Sequence, residues 1–361
     1  MKKVLAILLV VSMAISMVGC SNGDNNGTNG GKGKICFIAT QLGDLSFNDN
    51  GWDGIQRVGS KYGYEVKVIE SGMDSSKYET AFLDLCESDY NYIVSQSGNG
   101  WGDIVFKYAA EYPEKKFIVF DCAKTTTVPA DNVLCIAYCA NEGSYLVGYV
   151  CAAMSQTGKI ATGANRDNPN INDFFTGFIN GALQYNPEIK VATAYNTVPG
   201  DATAMGEIAE QLFNAGVDVM FSVAGAAGLG IFKSAYEKNK LAVGVDSDQY
   251  LTYSNSETPE LATVIMTSMI KNIGDTLVST FDAIENGTVQ WGSLSVLGIK
   301  EGGVALADNE NYQKLVGEGV RKSVNELIDQ IKNGEITIPS YFDFTDDAQF
   351  RDLVNSVSIN N

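Results

Sequence analysis

The chain has 361 residues, 45% of them hydrophobic, and a formal net charge of −18. That is enough chain for two domains of ordinary size, and the acidic balance excludes a nucleic-acid binder, which needs a basic face to displace counterions. It contains no histidine, so Ser-His-Asp triads, Cys-His pairs, HExxH zinc sites and histidine general bases are all excluded.

In chain order, the first twenty residues, "MKKVLAILLVVSMAISMVGC", read as an export signal: two lysines, an apolar run too short for a comfortable membrane span, and small residues before Cys20. "MVGC" resembles a bacterial lipobox, which makes Cys20 the expected lipidation site and the membrane, reached through that lipid, an expected contact. An ordinary signal peptide is the alternative. Residues 21–33 are mostly Gly and Asn and predict a flexible tether. Their Gly-Lys pairs lack the spacing of a phosphate loop. Six further cysteines, Cys36, Cys86, Cys122, Cys135, Cys139 and Cys151, form no CxxC pair; Cys36 and Cys135 sit in apolar strand-like runs, which favours buried free thiols.

Strand-like runs then alternate with helix-period segments. The runs are 34–40, 64–70, 90–96, 115–121 and 132–138, with Trp52, Ile55, Val58 and Tyr62 on one helical face between the first two. From about residue 158 the pattern repeats, with strands at 189–195, 217–223, 241–246 and 261–266. This predicts an α/β fold of two doubly wound parallel-sheet lobes. The spacing assigns 34–139 plus about 267–300 to an N-terminal lobe, and 140–262 plus about 309–345 to a C-terminal lobe. It predicts a helix from about 267, a strand at 294–300, a long helix at 309–333 and several crossings that make a hinge.

Ligands of open parallel sheets sit outside the carboxyl ends of the strands. The loops there hold Phe47, Trp101, Asp121, Phe174, Phe175, Asp246 and Lys271. Aromatic rings beside acidic groups suggest a ring to stack and hydroxyls to bind. Phe174 and Phe175 point apart on a helix, so one of them is expected in the cleft.

Seven segments in order carry a resemblance: "DLSFND" (44–49), "YPEKKFIVFD" (112–121), "NEGSYLVGYVCA" (141–152), "FFTGFINGA" (174–182), "AGAAGLGIF" (224–232), "VGVDSDQ" (243–249) and "TSMIKN" (267–272). Across nearly the whole exported part the chain resembles the basic membrane protein family, the purine-nucleoside-receptor group of lipoproteins that act as substrate-binding components of ATP-driven importers. The resemblance implies the two-lobed type I periplasmic-binding fold, a monomer, a membrane permease as partner, no cofactor and no catalytic step. It implies that Phe47 stacks on a nucleobase, that Asn48 and Asp121 hydrogen-bond the ligand, and that Asp246 accepts from ribose hydroxyls with Lys271 nearby. It further implies that Gly225 lets backbone approach the ligand and that Asp44 opens the binding signature. One stretch departs from the family pattern. Members begin the first loop with an aspartate and two glycines, whereas this chain reads "TQLGD", with Thr40 or Gln41 at that place.

Other readings attach to the same residues. Phe47 as a loop anchor, Asp246 as a helix cap, and Asp246 with Asp248 as a metal pair are the structural alternatives. At the level of function the alternatives are a sugar-binding protein, a sensory receptor component or an exported nucleoside-cleaving enzyme.

Overall fold

A computed structural model describes residues 32–360. The export signal, Cys20 and the tether up to residue 31 lie outside the described residues.

The first sheet contains β1 (Lys34–Ala39), β2 (Glu65–Glu70), β3 (Tyr92–Gln96), β4 (Lys116–Cys122) and β5 (Val133–Tyr138). Alternation decides its two faces. Ile35, Phe37 and Ala39 enter one buried cluster, while Cys36 and Ile38 enter another on the opposite face. Helices α1 (Phe47–Tyr62), α2 (Tyr78–Cys86) and α3 (Trp101–Tyr108) supply the crossovers. Ile55 and Val58 of α1 are buried, as the helical periodicity requires. The chain then passes through α4 (Ala140–Met154) into a second sheet of β6 (Lys159–Ala164), β7 (Lys190–Tyr195), β8 (Val219–Val223), β9 (Leu241–Asp246) and β10 (Ile265–Lys271). Its crossovers are α5 (Pro169–Tyr185), α6 (Ala202–Asn214), α7 (Gly228–Glu237) and α8 (Gln249–Ser254). Next come α9 (Ile273–Glu285), β11 (Ser293–Leu297) and β12 (Val304–Leu306), and the chain closes with α10 (Glu310–Leu315), α11 (Glu318–Lys332) and α12 (Asp347–Ser356).

The strand orders are β11-β5-β4-β3-β1-β2 and β12-β10-β9-β8-β6-β7. The sheets are therefore copies of one topology, with β1 to β5 matched by β6 to β10. They differ at the edge, where β11 runs parallel to β5 but β12 runs antiparallel to β10. Helices α4 and α5 cross at backbone distance: a Cβ on Gly177 would lie 2.1 Å from the Asn141 carbonyl oxygen, and one on Gly181 1.9 Å from that of Tyr145.

The chain passes between the sheets at residue 139, at residue 272 and across 298–303. These crossings bond to each other, Cys139 N–H to the Leu297 carbonyl and Asn272 N–H to the Gly303 carbonyl. Three details differ from the sequence expectations. Residues 265–271 form a strand of the second sheet, so the return crossing falls at 272 rather than about 267. The long helix at 309–333 is two helices, broken at Val316 and Gly317. Finally, β12 and α12 appear where no element was expected. The six cysteines among the described residues are free thiols, five of them buried.

Candidate functional site

A cleft of about 880 Å³ opens between the carboxyl ends of the two sheets. Asp44, Phe47, Asn48, Asp121, Phe174, Gly225, Asp246 and Lys271 all line it.

Its charged centre is built from three strand ends. Asp121 belongs to β4 and Asp246 ends β9, the matching strand of the other sheet. Both have left-handed backbone, φ 59° and 65°, which L-residues with a Cβ adopt at a cost. Lys271 ends β10; its Nζ lies 2.8 Å from Asp121 Oδ1 and 4.0 Å from Asp246 Oδ1. Burial opposes the lysine's charge, but the two carboxylates outweigh it and raise its pKa. Burial pushes the Asp246 carboxyl up to about 6, with Lys271 opposing and Asp121 adding to the shift. Asp246 Oδ2 accepts a 3.0 Å hydrogen bond from Ser46 Oγ. Its Oδ1 is buried and has no hydrogen-bond partner among the described residues.

Residues 44–50 form a turn that joins both lobes. Asp44 accepts from the backbone N–H of Ser46, Asn48 and Asp49 and from Asn48 Nδ2. Its carboxylate is consumed by the turn, so Asp44 shapes the site rather than presenting free acceptors to it. Asn48 is also engaged at both ends, its Oδ1 accepting from Thr40 N–H at 3.0 Å. Across the lobes, the single Ser46 hydroxyl proton is shared between Asp246 Oδ2 and the Val245 carbonyl, and Asn50 Nδ2 donates to the Asp246 and Lys271 carbonyls.

Phe47 is the first residue of α1 and half-buried, its ring 5.4 Å from that of Phe120. Lys271 Nζ lies 5.5 Å from the Phe47 ring centroid and 4.7 Å from that of Phe174, within cation–π range. The cleft thus has an aromatic ring on each lobe beside its ionic centre. Gly225 contributes backbone at φ 53°, with open space where a Cβ would stand.

Two expected site residues lie elsewhere. Trp101 is 1% exposed and stacks on Tyr78 at 4.6 Å within the first lobe, its Nε1 donating to Ser71 Oγ. The Gly-rich loop before it turns the indole into the core. Phe175 is fully buried and stacks on Tyr195, so of the two adjacent phenylalanines only Phe174 lines the cleft. The helix cap after β9 is Asp248, which also accepts from Asn309 Nδ2, and not Asp246. Among the described residues no group of three or more metal-ligating side chains comes together, and no helix is long and apolar enough to cross a membrane.

Several residues of the site were not singled out as ligand-facing groups. Ser46 holds Asp246, Asn170 Nδ2 reaches the Asp121 carbonyl at 2.7 Å across the cleft, and Thr40, Gln96 and Asn99 form part of the wall. Polar residues at the carboxyl ends of apolar runs were the available signal for Thr40 and Gln96.

Known proteins share the family and the fold of this chain. The family model described as Bmp, ABC transporter substrate-binding protein PnrA-like, matches residues 34–341. Basic membrane protein A of Borreliella burgdorferi is 28% identical over 301 residues, covering 82% of this chain and 84% of that protein. The ABC transporter nucleoside-binding protein BmpA of Lactococcus lactis is 27% identical over 322 residues, covering 86% of this chain and 89% of that one. A solved ABC transporter solute-binding protein from Aeropyrum pernix K1 has the same fold, with a TM-score of 0.77 at 23% identity over 90% of this chain and 97% of that one.

Proposed function

The chain belongs to the Bmp family of PnrA-like ABC-transporter substrate-binding proteins, and on that premise we propose that its interlobe cleft takes a purine nucleoside for delivery to a membrane permease. The observation that carries this reading is Asp246 Oδ1: a buried acceptor without a donor, 4.0 Å from Lys271 Nζ, which itself lies over the rings of Phe47 and Phe174. A buried acceptor left unpaired costs about 1–3 kcal/mol, and a vicinal diol offers the donors that remove the cost. Charge-assisted bonds of this kind are stronger than neutral ones. The rings of Phe47 and Phe174 fit a flat base, whose stacking contributes about 1–3 kcal/mol.

Ligand that touches both lobes favours the closed arrangement, because it has greater affinity for that state. The Lactococcus relative's designation as nucleoside-binding supports the same ligand class. No covalent chemistry is needed, and the family model that matches the chain describes substrate-binding proteins. Attachment to the outer face of the membrane through lipid on Cys20, and action as a monomer, complete the proposal.

Calorimetric titration with adenosine, guanosine, inosine, cytidine, uridine and ribose tests it. Tight binding of purine nucleosides with ribose silent supports the reading. Tight binding of ribose alone, or silence from every nucleoside, overturns it.

A further inference from the structure

The first sheet has its switch point between β1 and β3, which are neighbours although β2 follows β1 in the chain. Crevices at such points receive ligands. Two side chains stand at this one: Thr40, just past β1, and Gln96, the last residue of β3. Both line the cleft and both are more than nine-tenths buried, at 8% and 7% exposed. Gln96 Nε2 donates to Thr40 Oγ1, and Asn99 Nδ2 approaches the same oxygen at 3.4 Å. Asn99 holds a left-handed backbone, φ 60°, a conformation that persists only where the surroundings impose it.

This pair is neutral. The nearby Asp44 carboxylate is spent on its own turn. Asp121 follows Phe120, the β4 partner of Gln96, but its carboxylate is paired with Lys271, and Asp246 ends a strand of the other sheet. Three consecutive residues connect the Thr40–Gln96 pair to Asp246. Ser46 bonds Asp246, Phe47 presents its ring, and Asn48 bonds the backbone of Thr40. A ligand ring stacked on Phe47 with its sugar toward Asp246 therefore points its far edge at Thr40 and Gln96.

We infer that Gln96, steadied by Thr40, is the residue that reads the purine edge carrying the 6-substituent; this rests on the nucleoside reading above. With one amide N–H committed to Thr40, Gln96 retains one donor and one acceptor side by side. Its Oε1 has no hydrogen-bond donor among the described residues. That pattern complements the 6-amino, N1 edge of adenine; with the amide turned over and the Thr40 hydroxyl donating to Oε1 instead, it complements the 6-oxo, N1–H edge of hypoxanthine, and no charge rejects either. The site accordingly accepts both 6-amino and 6-oxo purines and discriminates against a ring with hydrogen at C6, which leaves the buried amide unpaired.

The test is calorimetric titration of the protein, its Gln96→Leu variant and its Thr40→Val variant with adenosine, inosine and purine riboside, which keeps ring and ribose but lacks the 6-substituent. The inference predicts that the unaltered protein prefers adenosine and inosine over purine riboside by at least tenfold. Gln96→Leu should reduce that preference below threefold, and Thr40→Val, nearly isosteric, should reduce it in the same direction. A preference of tenfold or more that survives in either folded variant overturns the inference, as does its absence from the unaltered protein. If no nucleoside binds the unaltered protein, the nucleoside reading itself fails and this inference fails with it.

Discussion

Asp121 and Asp246 occupy matching places in the two sheets, on β4 and β9, and both hold the left-handed backbone that an aspartate adopts only under constraint. Lys271 lies between them, buried, 2.8 Å from one and 4.0 Å from the other. The cleft is thus organised around two carboxylates from two lobes and one cation. On the function proposed above, its stability and its ligand affinity depend on the same three charges.

Removing the cation should be costly. Lys271→Met leaves the buried Asp246 carboxylate without its cation and beside the part-exposed Asp121, and breaking a buried ion pair in this way costs about 3–5 kcal/mol. Denaturant unfolding at pH 7.5 should show that loss, and adding Asp246→Asn should restore part of it. A loss below about 1 kcal/mol in the single variant would mean that the cluster is solvated.

Ligand affinity should fall in acid. The Asp246 pKa is raised from 3.8 to about 6, mainly by burial. The ligand-free protein favours the protonated carboxyl, so this group's contribution to stability is largest at low pH and is lost as pH rises through about 6. Hydroxyl donors from a ligand favour the carboxylate instead, which gives affinity the opposite slope. The groups facing Asp246 are Lys271, which stays cationic, and the carboxylates of Asp121 and Asp44. Binding at pH 5 should be roughly tenfold weaker than at pH 7.5. Asp246→Asn should abolish the pH slope, and calorimetry in buffers of different ionisation enthalpy should detect proton release near pH 6.

Phe47 and Trp101 separate affinity from stability. Phe47→Ala removes a ring that lines the cleft and should weaken binding more than tenfold while the protein still unfolds cooperatively. Trp101→Phe disturbs a core stack with Tyr78 and should lower Tm, with affinity unchanged within a factor of two. Equal affinity losses in both variants would contradict these placements.

Asp173 ties the C-terminal segment to the second lobe. It is 2% exposed and accepts from Ser340 Oγ and from the N–H groups of Tyr341 and Asn141. Asp173→Ala should destabilise by about 1–3 kcal/mol and speed hydrogen exchange over residues 338–357. Unchanged exchange there would show that α12 is held by its own packing.

The architecture was legible because parallel strands buried on both faces read as apolar runs, and their spacing exposes the crossovers. The same property hid the strand that ends at Lys271. "IMTSMIK" is a strand buried along nearly all its length and continues into the apolar face of α9, so its periodicity does not separate strand from helix. Trp101 reads as a ligand-facing ring because it lies just past the carboxyl end of a strand. What decides its direction is the space beneath Tyr78, a tertiary fact. Asp44 and Asn48 are expected from the sequence to bind the ligand; both line the cleft, but no sequence pattern shows that the turn engages their polar atoms. Gln96 escaped notice as a single polar residue ending an apolar strand.

The most direct test of the central claim, a purine nucleoside held by its ribose hydroxyls on Asp246, is calorimetric titration with inosine beside 2′,3′-dideoxyinosine. The account predicts tight inosine binding and a loss of at least tenfold for the dideoxy compound, with Asp246→Asn abolishing most of the difference. Equal affinities for the two nucleosides would contradict it.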